Sequence, residues 1–557
     1  MSAVRLLKVL AGLVLLARIV SPGLCSAQSG SREGAPVNGS FRIAGTVVSA
    51  SSGTPLGQAL VSIVNTKDPR DAHSMVTSED GHFEFKQLKA GKYSLKGARR
   101  GFVTGFYNQH EQFSTAIVTG VGVDTENLVL RLSPSAVLSG KVIDEWGEPV
   151  RHANVTLYRE DHSAGVSRIV RFSADTTDDR GWFEFSPLNP GTYYVSAVVA
   201  PWYAVHPVSA RTDNAQASAV MVDRNLDVAY PTTYYADATD SDDALPIPVR
   251  GGDRLEIEIH LSPVPALHLL VRVPENSQQG GSMPVLHKRE FDSTEFVRYE
   301  GAQAVSPGLL ELTGIPAGKY SVRMLGSEPG KGAQASEIDL TNSSQELDTT
   351  GAEPMSTVKV SVQMAEGEKM PEQLSIALRD SAGRIVAFHP VDAKGEVNFG
   401  DVAAGKYVVL APSPNKAYSV ARISSQGNDT AGHTLNLDPG SDLSITVSLV
   451  GGSVSVEGFV KRGEKAVPGA MVVLVPENAE SNRERFRRDQ SDLDGSFKLP
   501  SVIPGAYTVI AIEDGWDLDW SQPGVIARYT PQGQKLTIRD GGQRSMHLPE
   551  PVPVQSK

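Results

Sequence analysis

The feature that most constrains this 557-residue chain is a spacing that recurs five times. A glycine is followed ten positions later by a second glycine, and a tyrosine stands two beyond that. The copies are Gly81…Gly91-Lys92-Tyr93, Gly181…Gly191-Thr192-Tyr193, Gly308…Gly318-Lys319-Tyr320, Gly395…Gly405-Lys406-Tyr407 and Gly495…Gly505-Ala506-Tyr507. Counting the first glycine as zero, positions +2 and +4 hold Phe83/Phe85, Phe183/Phe185, Leu310/Leu312, Val397/Phe399 and Phe497/Leu499. Position +7 holds Leu88, Leu188, Ile315, Val402 and Val502. Period-2 alternation aims the first pair into one sheet face, and the +7 residue plugs the turn. The second glycine follows Pro or Ala and is expected at φ > 0, where a Cβ is costly. The tyrosine is expected to be buried with its hydroxyl bonded to backbone. Five copies of one hairpin make this a repeat protein.

The flanking sequence extends each hairpin into a domain. Repeat one, residues 41–134, opens on Ile43-Ala44-Gly45-Thr46-Val47-Val48 and turns at Gly53-Thr54-Pro55-Leu56. Repeat two, residues 135–263, copies this with Leu138-Ser139-Gly140-Lys141-Val142-Ile143 and Gly147-Glu148-Pro149-Val150, and carries an aromatic-rich insertion from Ala200 to Leu245. Repeats three (264–348) and four (355–450) keep the glycines and the tyrosine but lose the Asp-Gly turn, with Pro307-Gly308 and Lys394-Gly395 standing there instead. Repeat five (453–548) is complete, and the Pro-rich 549–557 reads as a disordered tail. With 52 Gly, 35 Pro and no long apolar stripe at helical spacing, the pattern predicts an all-β tandem array of about five β-sandwiches.

Gly-x-Val in the first strand, Gly-x-Pro-[Leu/Val] and Ala-x-Val before the second, then Asp-x-x-Gly-x-Phe-x-Phe-x-x-Leu-x-Pro-Gly-x-Tyr resembles the carboxypeptidase regulatory-like, transthyretin-like domain family. Repeats one, two and five match the pattern well; three and four match only the hairpin. The resemblance implies a seven-strand Greek-key sandwich per repeat, overlapping in fold with starch-binding-like modules. Such domains accompany enzymes, receptors or adhesins without being catalytic themselves.

Residues 1–27 read as a secretory signal: Arg5 and Lys8, an apolar run from Val9 to Ala17, then Cys25-Ser26-Ala27. A flexible leader is expected at 28–40. The apolar run is well short of the ~20 residues that span a bilayer, so no membrane insertion is expected after signal removal, and the chain is expected to be secreted, periplasmic or on the cell surface. Cys25 is the one cysteine, so the mature chain has no disulfides. Lipidation at Cys25 is disfavoured by Leu24 before it. Three of the 52 basic residues and none of the 64 acids lie in the signal, so the net charge moves from −12 to −15. That argues against nucleic acid as a partner.

Neither a Gly-x-Ser-x-Gly elbow nor a Gly-rich phosphate loop occurs, and no catalytic residue and no cofactor are expected. His287-Lys288-Arg289-Glu290 matches the His-x-x-Glu zinc pair of metallocarboxypeptidases, yet one such match is expected by chance among twelve histidines. The acidic runs Asp175–Asp179 and Asp489–Asp494 fit turn-forming aspartates or calcium. Aromatics outside the repeat pattern, Trp202, Tyr203, Tyr230, Tyr234, Tyr235, Trp516 and Trp520, are the candidate ligand-binding residues. Exposed on loops they would stack on sugar rings; folded inward they are core. The sequence is therefore read as a secreted, non-catalytic binding protein for polysaccharide or surface glycan. The alternative is a structural or adhesive stalk with a cell-surface protein partner.

Overall fold

The computed structural model describes residues 41–120, 122–207, 223–273, 283–325, 333–341, 343–365, 368–414, 416–425, 428–539 and 544–557. The signal read at 1–27, with Cys25, and the leader read at 28–40 lie outside the described residues. The chain is a tandem array of β-sandwiches. Among the described residues its α-helix is a single four-residue turn, Pro523–Ile526, supplemented by short 3₁₀ turns.

One sheet plan recurs five times. The opening strand of each unit pairs antiparallel with the first strand of the hairpin and parallel with the closing strand. Phe41–Ser49 lies between His82–Leu88 and Leu128–Leu132, and Ala136–Ile143 between Trp182–Leu188 and Arg254–His260. Leu267–Arg272 lies between Leu309–Ile315 and Gln345–Asp348. Ser356–Met364 lies between Glu396–Val402 and Asp442–Gly451, and Val454–Arg462 between Ser496–Val502 and Ser545–His547. A second sheet, carrying the tyrosine strand, covers the first. Apolar side chains of both inner faces fill the space between them. The +2, +4 and +7 residues are buried in every unit except Leu310, which packs at the margin of its core. Each fully buried ring stabilises by about 1.5–3 kcal/mol over its exposed state.

The first glycine of each copy has φ between 71° and 80°, and its carbonyl accepts from a valine N–H of the opening strand: Val47, Val142, Val273, Val362 and Val460. A Cβ on Gly181 would stand 2.5 Å from the Val142 carbonyl oxygen. This holds in repeats three and four too, where Pro307 and Lys394 precede the glycine, so an Asp directly before it is dispensable while the glycine is not.

The expectation of φ > 0 at the second glycine is met in two copies and fails in three: Gly405 and Gly505 stand at 152° and 157°, while Gly91, Gly191 and Gly318 are absent from the positive-φ residues. Left-handed backbone falls at position +6: Gln87, Gly314, Asp401 and Ser501, with Pro187 in the equivalent place. The cause is a β-bulge. In all five units the pairing slips by one extra residue between +4 and +7, which re-aims the +7 side chain into the core. The second glycine serves the tyrosine instead, because a Cβ on Gly318 would stand 3.1 Å from the Tyr320 ring.

The five tyrosine rings are buried, and each hydroxyl donates to the carbonyl four residues back: Tyr93 to Lys89 (3.4 Å), Tyr193 to Asn189 (2.9 Å), Tyr320 to Pro316 (2.6 Å), Tyr407 to Ala403 (2.8 Å) and Tyr507 to Ile503 (2.7 Å). The expected packing role is met in all of them.

The tail is the second correction. Val552–Ser556 is a strand, parallel to Gly505–Glu513 and touching Val454–Arg462. Val552 is fully buried in the core of repeat five. The prolines that suggested disorder alternate with Val552 and Val554, and that alternation gives the segment one apolar face.

Candidate functional site

Most of the candidate aromatics face inward. Tyr234 is fully buried and meets Phe291 of the third sandwich edge-on at 5.5 Å. Tyr235 packs half-buried on the core of repeat two. Trp516 is stacked on His110 of the first sandwich at 4.9 Å with 4° between planes, and its indole N–H donates to the Gly469 carbonyl. Trp520 lies against Phe486 and under the Arg488 guanidinium, 4.2 Å from its ring centre. Tyr234, Trp516 and Trp520 lie where repeats meet, and Tyr235 serves its own repeat.

The remaining three candidates gather around one carboxylate. Asp144 caps the turn of repeat two by accepting the N–H groups of Trp146 (3.0 Å) and Glu148 (2.8 Å). The turn closes on Gly147 at φ 80°, so Glu145 and Trp146 project outward. Trp202 and Tyr203 occupy the centre of a turn closed by Ala204 N–H on the Pro201 carbonyl. Glu145 accepts from the Tyr203 hydroxyl on one oxygen and from the Tyr230 hydroxyl, at 2.5 Å, on the other. Tyr203 is pushed up to about 12 by desolvation and then by Glu145, and Tyr230 is raised by the same causes. Both stay protonated donors. Trp146 is 5.0 Å from Tyr203, and Trp202 is 5.8 Å from it. Trp202 is 86% exposed and Trp146 62%. Trp146 and Glu145 escaped the sequence reading because they occupy a turn of the repeat pattern. Repeat one has Ser51 and Ser52 there, and a tryptophan where a turn needs only a small residue was the available signal.

The strand Met283–Glu290 puts His287 and Glu290 on opposite faces. Glu290 accepts from the Tyr158 hydroxyl at 2.8 Å, while His287 lies edge-on to Phe296. The two therefore share no metal. In the acidic runs, Asp178 accepts the N–H groups of Arg180 and Trp182, and Asp494 that of Ser496. Among the described residues no group of three His, Cys, Asp or Glu is arranged to hold a metal. A buried polar chain runs from the insertion to repeat three: His206 Nδ1 to Asp227 (2.8 Å), Asp227 to His268 Nε2 (3.0 Å), and His268 Nδ1 to Glu311 (2.9 Å). Its lone pairs are spent on one another in a line, so it fastens domains.

The fastening is most extensive between the first and last repeats. Asp492 pairs with Lys92 and accepts the Ala116 N–H at 2.9 Å, and Leu493 N–H donates to the Ala116 carbonyl at 3.0 Å. Leu493 also packs on the core of repeat one. Gln490 donates to the Asn108 carbonyl and to Thr115. Repeat two joins in, since Ser521 N–H donates to the Gly165 carbonyl and Asp519 accepts the Ser167 N–H. A Cβ on Gly165 would meet Ser521 at 2.6 Å, so glycine is what permits this approach.

Among known proteins, residues 42–125 match the family model of the carboxypeptidase regulatory-like domain, in agreement with the resemblance read from the motif. Colossin-A of Dictyostelium discoideum is 30% identical over 146 residues, covering 25% of this chain and 1% of that protein. The chain thus spans about one hundredth of that curated relative. Similar solved structures include the Bacillus anthracis TIE protein (11% identity, 75% of this chain and 76% of that one, TM-score 0.18). A streptococcal ancillary pilin matches at 16% identity over 52% of this chain and 98% of its own (TM-score 0.20). The minor pilin GBS52 of Streptococcus agalactiae matches at 13% over 41% and 97% (TM-score 0.21). Among the described residues, no helix is long and apolar enough to cross a membrane.

Proposed function

We propose that this protein is a non-catalytic structural or adhesive scaffold with a protein partner, in which the tandem sandwiches are folded back so that the last repeat is docked on the first two. The observation that carries this reading is the seam at Gln490–Leu493. The side chains of Arg488, Asp492, His110 and Trp516, two of them within the runs and aromatics singled out in the sequence, are there used to hold one sandwich against another. Inter-domain contacts within a chain commonly leave domains free to move. Part-buried ion pairs, a stacked ring and a leucine packed against the neighbouring core work against such motion. Loop surface on repeat two, with Trp146 and Trp202, stays accessible.

The carbohydrate reading has less support. It requires ring faces in one plane, whereas four of the seven candidate aromatics, Tyr230, Tyr234, Trp516 and Trp520, are buried. Capture of the full chain on intact cell surfaces tests the choice. Protease treatment of those surfaces is expected to abolish capture and periodate oxidation of their glycans to spare it; the reverse result overturns the proposal.

A further inference from the structure

The exposed rings of Trp146 and Trp202 and the half-buried ring of Tyr203 do not form a platform. Tyr203 stands at 58° to Trp146 and at 82° to Trp202, so the three make the walls of a corner, with the carboxylate of Glu145 held beside it by two tyrosine hydroxyls. A sugar ring stacks on a flat face. A corner of π-faces next to a negative charge suits a cation, which is attracted to the ring quadrupole and to the carboxylate together.

The same chain shows what such a constellation holds. At the seam between the first and last repeats, the rings of Phe113, Trp516 and Trp520 surround the Arg488 guanidinium at 5.3, 5.9 and 4.2 Å. Glu111 pairs with it at 2.6 Å. Three aromatic walls and one glutamate constitute that internal site, and three aromatic walls and one glutamate recur at Glu145. There the carboxylate meets tyrosine hydroxyls, and among the described residues no lysine or arginine stands over the three rings.

We infer that the Trp146–Trp202–Tyr203 corner over Glu145 is a docking site for an arginine side chain on a basic segment of the partner protein. The inference rests on the scaffold reading above and adds the partner's chemistry. Arginine is favoured over lysine because a planar guanidinium stacks on an indole face while pairing with a carboxylate, as Arg488 does. The net negative charge of the chain adds long-range attraction for a basic segment. The site is set before binding: Asp144 fixes the Glu145–Trp146 turn, and the Val205 N–H bond to the Leu226 carbonyl holds the far end of the Trp202 loop.

The test is a fluorescence-anisotropy titration of the full chain with a labelled Gly-Arg-Gly-Arg-Gly peptide, run beside its citrulline counterpart, which keeps the shape and loses the charge. Trp202→Ala is expected to weaken arginine-peptide binding about tenfold, and Glu145→Gln by a similar factor. Asp179→Asn, in a different exposed loop, is expected to leave it unchanged. Trp202 is exposed, so its loss does not threaten folding. The inference is overturned if Trp202→Ala binds the peptide as wild type does, if the citrulline peptide binds equally well, or if cellohexaose displaces the peptide, the last of these assigning the corner to glycan. Unchanged peptide binding by Trp202→Ala with protein-dependent capture intact refutes this site alone. Capture that depends on glycan while the arginine peptide still needs Trp202 refutes the scaffold reading alone.

Discussion

Arg488 in the last sandwich and Glu111 in the first are paired at 2.6 Å, 377 positions apart in the chain. The Arg488 side chain is 4% exposed, and it also donates to the Ser163 carbonyl of repeat two at 3.1 Å. One guanidinium thus ties three repeats together. Truncating it leaves Glu111 without its partner in a largely desolvated place, which typically costs about 3–5 kcal/mol. Arg488→Ala is expected to raise hydrogen exchange in residues 108–116 and 516–521 while the core hairpins stay protected. Unchanged protection at the seam would contradict the pairing.

The seam also sets a pH dependence. Burial pushes the Asp489 carboxyl up to about 6, only partly offset by the N–H donated from Lys498. Its folded pKa lies above its unfolded one, so the unfolded chain releases this proton first as pH rises. Stability contributed here is present below the unfolded value near 3.8, is lost as pH rises to about 6, and is flat above that. Asp489→Asn is expected to raise the melting temperature at pH 7 and to flatten the slope between pH 4 and 6. A lower melting temperature at pH 7 would show that the charge is stabilising.

Tyr407 separates the ring from the hydroxyl. Tyr407→Phe removes the 2.8 Å bond to the Ala403 carbonyl and is expected to destabilise repeat four by about 1 kcal/mol. Tyr407→Ala empties a buried site and is expected to cost about 3 kcal/mol or more. Urea denaturation of the two variants reads both, and equal effects would deny the ring its packing role.

Much of this was legible because it repeats. Alternation and spacing gave the hairpins, the buried tyrosines and the array of sandwiches, since period 2 and a glycine at a fixed step have few structural solutions. What was not legible lies where one segment serves two purposes. Asp489–Asp494 reads as a turn or a cation site, and as a turn it is correct. That Leu493 of this turn packs against the core of repeat one is a fact about the other end of the chain. The residue at position +6 was missed for a similar reason: glycine marks only its own position, while Gln87, Asp401 and Ser501 accept a bulge that the surrounding sheet imposes. At the site, Trp146 was hidden by belonging to the repeat pattern, and the angle between rings is invisible in sequence.

That bulge makes its own prediction. Ser501 holds φ 53°, a conformation that costs a residue with a Cβ about 1 kcal/mol. Ser501→Gly is expected to stabilise repeat five by roughly that amount. Gly314→Ala, at φ 74° with His206 Nε2 2.7 Å from the new Cβ, is expected to destabilise repeat three by more. Thermal melts of both variants with the same sign would contradict the assignment of position +6.

Small-angle X-ray scattering on residues 41–557 tests the folded-back scaffold most directly. Compact packing of a chain this long corresponds to a radius of gyration of about 24 Å, and five sandwiches strung end to end to roughly 50 Å. The docking of the last repeat on the first two predicts the smaller value, rising when Arg488→Ala is combined with Leu493→Asp. A value near 50 Å for the unaltered chain would contradict it.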